Sequence, residues 1–229
     1  MLLLAFDTTG PNCAAAVARA GAGGRAKILA QVEERIGRGH AERLPPMVDE
    51  ALSAAKAKYA DLGRIAVTTG PGSFTGVRVG VAFARGLALA LDIPAVGVGS
   101  LDALAFPLKR SGQGTIAAVL DAKRSEVYAL VVDIASGAVL VEAEALRIED
   151  LVLRLSHARR PITLTGAGAR LVLSALGETD AAVAGEAEAP DIASVVALAF
   201  DATKCGPPLP AYARAADAKP QLDKALARL

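Results

Sequence analysis

The feature that most constrains this chain is that one run of elements is written twice. The first copy opens at residues 2–6, a continuous apolar run of strand length closed by Asp7 and the turn cluster Thr8-Thr9-Gly10-Pro11-Asn12. Residues 13–18 and a stretch within 27–36 read as two more strands. A helix follows, with His40, Leu44, Met47, Val48, Ala51 and Leu52 at three- and four-residue steps, predicted to run to about Tyr59. Residues 65–69 form the next strand, and Ser73 is placed to cap a helix reaching about Leu91. Residues 94–98 and 100–108 add a strand and a short helix. After Gly112-Gln113-Gly114 the pattern restarts: an apolar run at 115–120 closed by Asp121, strands at 126–132 and 139–146, a helix at 149–157, a strand at 161–165, and helices at 169–176 and 193–203.

The repeated order is β-turn-β-β-α-β-α, and each copy begins with a strand ending in an aspartate, Asp7 or Asp121. Such a duplication predicts two α/β lobes facing each other across a cleft, divided as residues 1–108 and 109–229, with the last helix and tail able to return to the first lobe. Two ordinary α/β halves whose strands happen to end in Asp would give the same pattern.

Composition removes several function classes. The net charge is +1, with 3% aromatic residues, which does not suit a chain that grips nucleic acid alone. The most basic stretch is the tail, with Lys204, Arg214, Lys219, Lys224 and Arg228, but Asp217 and Asp223 interrupt it. Cys13 and Cys205 are far apart and form no metal spacing, which fits a reduced cytosolic compartment. The N-terminal apolar run is broken at Asp7, too short for a signal peptide or a membrane span.

Two stretches carry chemistry. Gly70-Pro71-Gly72 closes a strand and opens a helix, where free N–H groups and the helix dipole could hold an anion; a tight turn alone would need the same glycines. The Gly-Lys-Ser/Thr of a P-loop is missing. Along the helix that follows, Gly76, Gly80, Ala84 and Ala88 recur every fourth residue and make a flat strip, predicted to admit a second helix from within the chain or from a partner. The histidines, His40 and His157, lie in different halves, no His-Glu-x-x-His motif exists, and no nucleophile–base–acid set stands out, so neither catalytic residues nor metal ligands are assigned.

Leu4-Ala5-Phe6-Asp7-Thr8-Thr9 and Gly70-Pro71-Gly72-Ser73-Phe74-Thr75-Gly76-Val77-Arg78-Val79-Gly80 resemble the bacterial TsaB (YeaZ) family. So do 38–44, 95–102, 120–128 and, in the tail, Tyr212-Ala213-Arg214 with Asp217-Ala218-Lys219-Pro220. The resemblance implies duplicated actin-like, ribonuclease H-like lobes. It implies a non-catalytic scaffold, cytoplasmic and without membrane contact, for the complex that makes threonylcarbamoyladenosine (t6A) in tRNA. The catalytic subunit TsaD and the ATPase TsaE would be its partners, tRNA would be reached only through the complex, and the chain alone could form a homodimer. Where TsaD carries two histidines for its metal, this chain has Ser100 and Leu104. The partner surface is expected at His40, Leu44, Val48 and Ala51 on one helix and Val77, Gly80, Val81 and Ala84 on the next, so that Gly80→Arg would block the partner and leave the monomer folded. Asp7, Thr8, Thr9 and Asp121 would be remnants of phosphate loops, with no cofactor of the chain's own but room for ATP or ADP at the partner boundary. An autonomous small-molecule kinase of the same superfold is the alternative.

Overall fold

The fold is described from a computed structural model covering residues 1–21, 26–110, 112–177, 180–203 and 205–213. The tail residues from 214 onward, with Lys204, lie outside the described residues, and the expectations placed on them go no further here.

The first lobe holds β1 (Leu2–Asp7), β2 (Asn12–Ala20), β3 (Ala26–Arg35), α1 (His40–Ala54), β4 (Leu62–Gly70), α2 (Phe74–Leu91), β5 (Ala95–Gly99) and α3 (Ser100–Lys109). The second holds β6 (Thr115–Lys123), β7 (Glu126–Asp133), β8 (Val139–Arg147), α4 (Ile148–Ser156), β9 (Ile162–Thr165), α5 (Ala169–Leu176), β10 (Ala181–Gly185) and α6 (Ile192–Asp201). The five-stranded sheets run β3-β2-β1-β4-β5 and, read in the matching direction, β8-β7-β6-β9-β10. In each, an antiparallel hairpin continues into parallel strands reached through helices. The duplication is therefore one unit longer than the sequence pattern suggested, because β10 and α6 repeat β5 and α3.

Two boundaries differ from expectation. The helix begun at His40 ends at Ala54, where Ala55 caps it, Lys56 turns left-handed (φ 53°) and the Ala57 N–H bonds back to the Leu52 carbonyl, so Tyr59 belongs to a separate 3-10 turn, Tyr59–Asp61. β10 was not foreseen because Ala-Ala-Val-Ala-Gly has little apolar bulk and only half-buries alternate residues.

Strand alternation gives each sheet two apolar faces. On sheet one, Leu4, Phe6, Ile65 and Val67 face α1 and α2, while Leu3, Ala5 and Ala66 face the opposite way. That inner face is covered by α6, whose Ile192, Val195, Val196 and Ala199 are buried among them. On sheet two, Ala117 and Val119 face α4 and α5, while Ile116, Ala118 and Leu120 face Leu101, Leu104 and Ala105 of α3. Each half thus lends its last helix to the sheet of the other, and the two exchanged helices pack together. Arg64 fixes the end of α6 by donating to the Ala199 carbonyl at 2.7 Å, where a cation also meets the negative end of the helix dipole.

After α6 the chain returns along β5 as a strap, residues 205–213. The Gly206 N–H donates to the Ala95 carbonyl at 3.0 Å, Pro208 packs over Gly97, the Ala211 N–H donates to the Thr69 carbonyl at 2.8 Å, and the Ala213 carbonyl accepts from Ala145 of β8 at 2.9 Å. Pro207, Pro208 and Pro210 cannot extend a ladder outward, so the strap closes the free edge of β5 against further strand pairing.

The helix exchange predicts a single calorimetric unfolding transition for the whole molecule, since neither sheet is covered on both faces without the other half. Leu101→Ala, at a fully buried position, should cost about 2–5 kcal/mol and lower that one transition. Two resolved transitions, with only one moved by the substitution, would contradict the exchange.

Candidate functional site between the lobes

The site is built on two equivalent hairpins, β1–β2 and β6–β7, which face each other across the cleft, and on the loop from β4 into α2. A cavity of about 530 Å³ opens there, lined by Thr9, Gly72 and Ser73 from the first lobe and by Asp121, Lys123, Tyr128 and Glu188 from the second. A second cavity of about 620 Å³ lies beyond Glu188 and Ala167, toward Asn12, Glu33 and Arg35.

The two aspartates have diverged. Asp7 is 1% exposed. Its Oδ1 accepts from the Thr9 hydroxyl at 2.7 Å and the Thr9 N–H at 3.1 Å, and it also takes the Thr68 hydroxyl. Burial pushes its carboxyl above the ordinary carboxylate range, although the bonds from Thr68 and Thr9 pull the other way. Asp121 is partly exposed and turned onto its own hairpin, where Lys123 meets it with Nζ at 2.6 Å and with its backbone N–H at 2.8 Å. The lysine holds this carboxyl below its usual value.

The helix N-terminus that could have held an anion is engaged in part by the chain itself. The Ser73 N–H donates to the Thr9 carbonyl at 2.7 Å, and Ser73 Oγ caps the Gly76 N–H at 3.3 Å. The Thr8 hydroxyl donates to the Gly76 carbonyl at 2.7 Å. The glycines are required by this approach: a β-carbon on Gly72 would strike the Thr9 carbonyl, one on Gly76 the Thr8 carbonyl, and one on Gly80 would stand 2.5 Å from Thr8 Oγ1. The residues present therefore do not fit a metal-bound polyphosphate. One carboxylate is buried with its Oδ1 taken by Thr9 and Thr68, the other is neutralised by a lysine, and Ser73 and Thr9 occupy part of the helix N-terminus.

The residues expected at a partner surface lie inside the first lobe in this structure. Leu44, Val48, Ala51, Val77, Val81 and Ala84 lie in the core between α1, α2 and sheet one, and His40, 8% exposed, points its Nε2 at the Gly10 and Asn12 carbonyls, at 3.1 and 3.3 Å. The every-fourth-residue strip through Gly76, Gly80 and Ala84 faces Thr8 and the sheet, because the close contact it permits is made inside the lobe. Gly80→Arg would break the fold rather than only a partner contact. The outward stripe of α2 runs instead through Phe74, Arg78, Ala82, Arg85 and Leu89, all exposed. The docking of Thr8 decides which stripe of the helix turns inward.

Ser100 is buried at the start of α3, with its hydroxyl 3.4 Å from Thr9 Oγ1, and Leu104 is in the core of the second lobe. Among the described residues no three His, Cys, Asp or Glu side chains gather as metal ligands, and no histidine bonds a hydroxyl or thiol. Burial pushes the Cys13 thiol up to about 11, which leaves it an inert core residue.

Comparison with known proteins places this geometry among relatives. The family model described as TsaD, tRNA N6-adenosine threonylcarbamoyltransferase, matches residues 27–200. The tRNA threonylcarbamoyladenosine biosynthesis protein TsaB of Bacillus subtilis (strain 168) is 32% identical over 168 residues, 72% of this chain and 71% of that protein. The protein of the same description from Escherichia coli (strain K12) is 36% identical over 129 residues, 56% of this chain and 53% of that one, so the match spans little more than half its length. The solved structure of YeaZ from Pseudomonas aeruginosa superposes with a TM-score of 0.70 at 27% identity, over 92% of this chain and 99% of that chain. Another, described as an uncharacterized protein with similarity to peptidase YeaZ from the same organism, gives 0.75 at 28% identity, over 93% and 99%.

Two outcomes are expected here. Gly80→Ala should lower stability by about 1–3 kcal/mol in urea unfolding, against the small gain that Gly→Ala gives at an open helical site. Asp7→Asn retains an acceptor for Thr9 and Thr68 but cannot ionise. Because the folded-state pKa of Asp7 is raised, its stabilising contribution is present at low pH and lost as pH rises through that value. Wild type should therefore gain on Asp7→Asn as pH falls from 7 toward 4, in paired urea titrations. The opposite slope would mean that the folded state favours the carboxylate.

Proposed function

Because the chain belongs to the TsaB (YeaZ) family, we propose that it serves the synthesis of threonylcarbamoyladenosine in tRNA as a non-catalytic subunit that binds and steadies a TsaD-type catalytic partner. The observation that carries this reading is α2. It is an 18-residue helix apolar enough by composition to cross a membrane, yet only 28% of that span is buried. Its inward face is fitted to sheet one and Thr8, so its outward face, Phe74, Arg78, Ala82, Arg85 and Leu89, is an apolar surface on a folded domain, of the kind that a protein partner covers. The outer face of α1, by contrast, is polar, with Asp49 held by Tyr59, and Glu50 by Arg43.

The buried Asp7 and the lysine-bound Asp121 support a subunit without chemistry of its own over an autonomous kinase. ATP or ADP at the boundary would then be held mainly by the partner, with Lys123 and Ser73 the groups this chain presents at the cleft mouth. The ATPase TsaE would engage the assembled pair, and tRNA would be reached through the complex.

Light scattering on a sizing column, with the chain alone and then mixed with the same organism's TsaD, tests the reading. A one-to-one complex is expected, with threonylcarbamoyl transfer to tRNA appearing only when TsaD, TsaE and ATP are also present. Ala82→Glu, at an exposed position, should weaken the complex at least tenfold, about 1.4 kcal/mol, without moving the melting temperature. Steady ATP turnover by the isolated chain, with no complex, would favour the kinase.

A further inference from the structure

The strap and α2 lie side by side and run in opposite directions. Gly206 is tied to Ala95, beyond the end of the helix, whereas Tyr212 reaches its first turn. Near that turn the Arg78 guanidinium lies over the Phe74 ring, 3.7 Å from its centroid, its Nε donates to the Tyr212 hydroxyl at 3.0 Å, and the two rings pack against each other at 5.9 Å. At the far end an apolar trough of about 510 Å³ separates helix from strap, walled by Arg85 and Leu89 on one side and Cys205, Pro207 and Pro208 on the other. The stretch between Phe74 and Leu89 is about 22 Å long at 1.5 Å per residue. Along it the exposed large apolar side chains come from both elements: Phe74 58%, Leu89 84%, Leu209 67% and Tyr212 56%.

The charge on this face is one-signed. α2 contains Arg78 and Arg85 and no acidic residue, and the strap from 205 to 213 has no charged residue. Arg78 is engaged by the rings, while Arg85 has no ion-pair partner among the described residues. A second copy meeting this face with its own would bring no carboxylate to Arg85. We propose that helix α2 and the strap form one composite docking surface, and that its occupant is an acidic, apolar segment of the catalytic partner, which seats an apolar side chain in the trough and a carboxylate on Arg85. This rests on the scaffold reading above and adds to it that the strap belongs to the partner surface, with Arg78 and Tyr212 keeping it in place, so that Tyr212→Ala, unlike Leu209→Ser, is expected to lower the melting temperature as well as binding.

The test uses the full-length chain and the same organism's TsaD, with dissociation constants read by calorimetry and folding checked by melting temperature. Leu209→Ser and Tyr212→Ala should each weaken binding roughly tenfold or more, as truncation of an interface anchor does, with the melting temperature unchanged in Leu209→Ser. Arg85→Glu should weaken it further and raise its sensitivity to salt. If Ala82→Glu abolishes binding while both strap variants bind as wild type does, the composite surface is wrong and the scaffold reading stands. If wild type itself does not bind TsaD, both fall. If the strap variants break a homodimer of the chain and leave TsaD binding intact, the surface belongs to a second copy and the proposal is overturned.

Discussion

The seating of Thr8 and Thr9 on the first turn of α2 is the contact on which the rest of the first lobe depends. Two hydrogen bonds of 2.7 Å, from the Thr8 hydroxyl to the Gly76 carbonyl and from the Ser73 N–H to the Thr9 carbonyl, bring backbone against backbone. No side chain larger than hydrogen fits at Gly72, Gly76 or Gly80. That approach sets the rotation of α2 about its axis. It turns Val77, Val81 and Ala84 into the core and leaves the Phe74-to-Leu89 stripe outside. The same residues that resemble a ligand loop thus serve here to clamp a helix.

The two lobes share a topology but have come to differ where it matters. The glycines that close β4 and follow β9 have nearly the same left-handed φ, +100° at Gly70 and +99° at Gly166, a trace of the common turn. The helices after them do not match: α2 has 18 residues and α5 has 8. Asp7 sits in the core under three donors, whereas Asp121 is a surface carboxylate paired to Lys123. The lobe with the longer helix also receives the strap, which gathers the exposed apolar residues of α2 and of the chain's far end onto one side of the molecule.

Much of the architecture was legible in the sequence, because strand and helix periods and the repeated strand-Asp opening are local patterns. What failed did so for identifiable reasons. β10 carries too little apolar bulk to announce itself. The partner residues from His40 to Ala84 were drawn from the apolar face of each helix, and an apolar face says only that something covers it. Here the cover is sheet one, and the stripe that α2 leaves exposed is the less conspicuous one with Ala82 and Arg85. The strap could not be read at all, since Pro-rich segments take their course from the edges they lie on, and the pairing of residue 78 with residue 212 spans 134 positions of the chain.

The exchange of α3 and α6 has a consequence for how the protein is made. Sheet one is complete once Gly99 has been synthesised, but the helix that covers its inner face begins at Ile192. At usual elongation rates the ribosome needs on the order of ten seconds to deliver it. For that interval Leu3, Ala5, Ala66, Val96 and Val98 form an apolar surface with nothing over it. The nascent chain must therefore either delay closing its first sheet or be shielded by a chaperone until its last helix emerges.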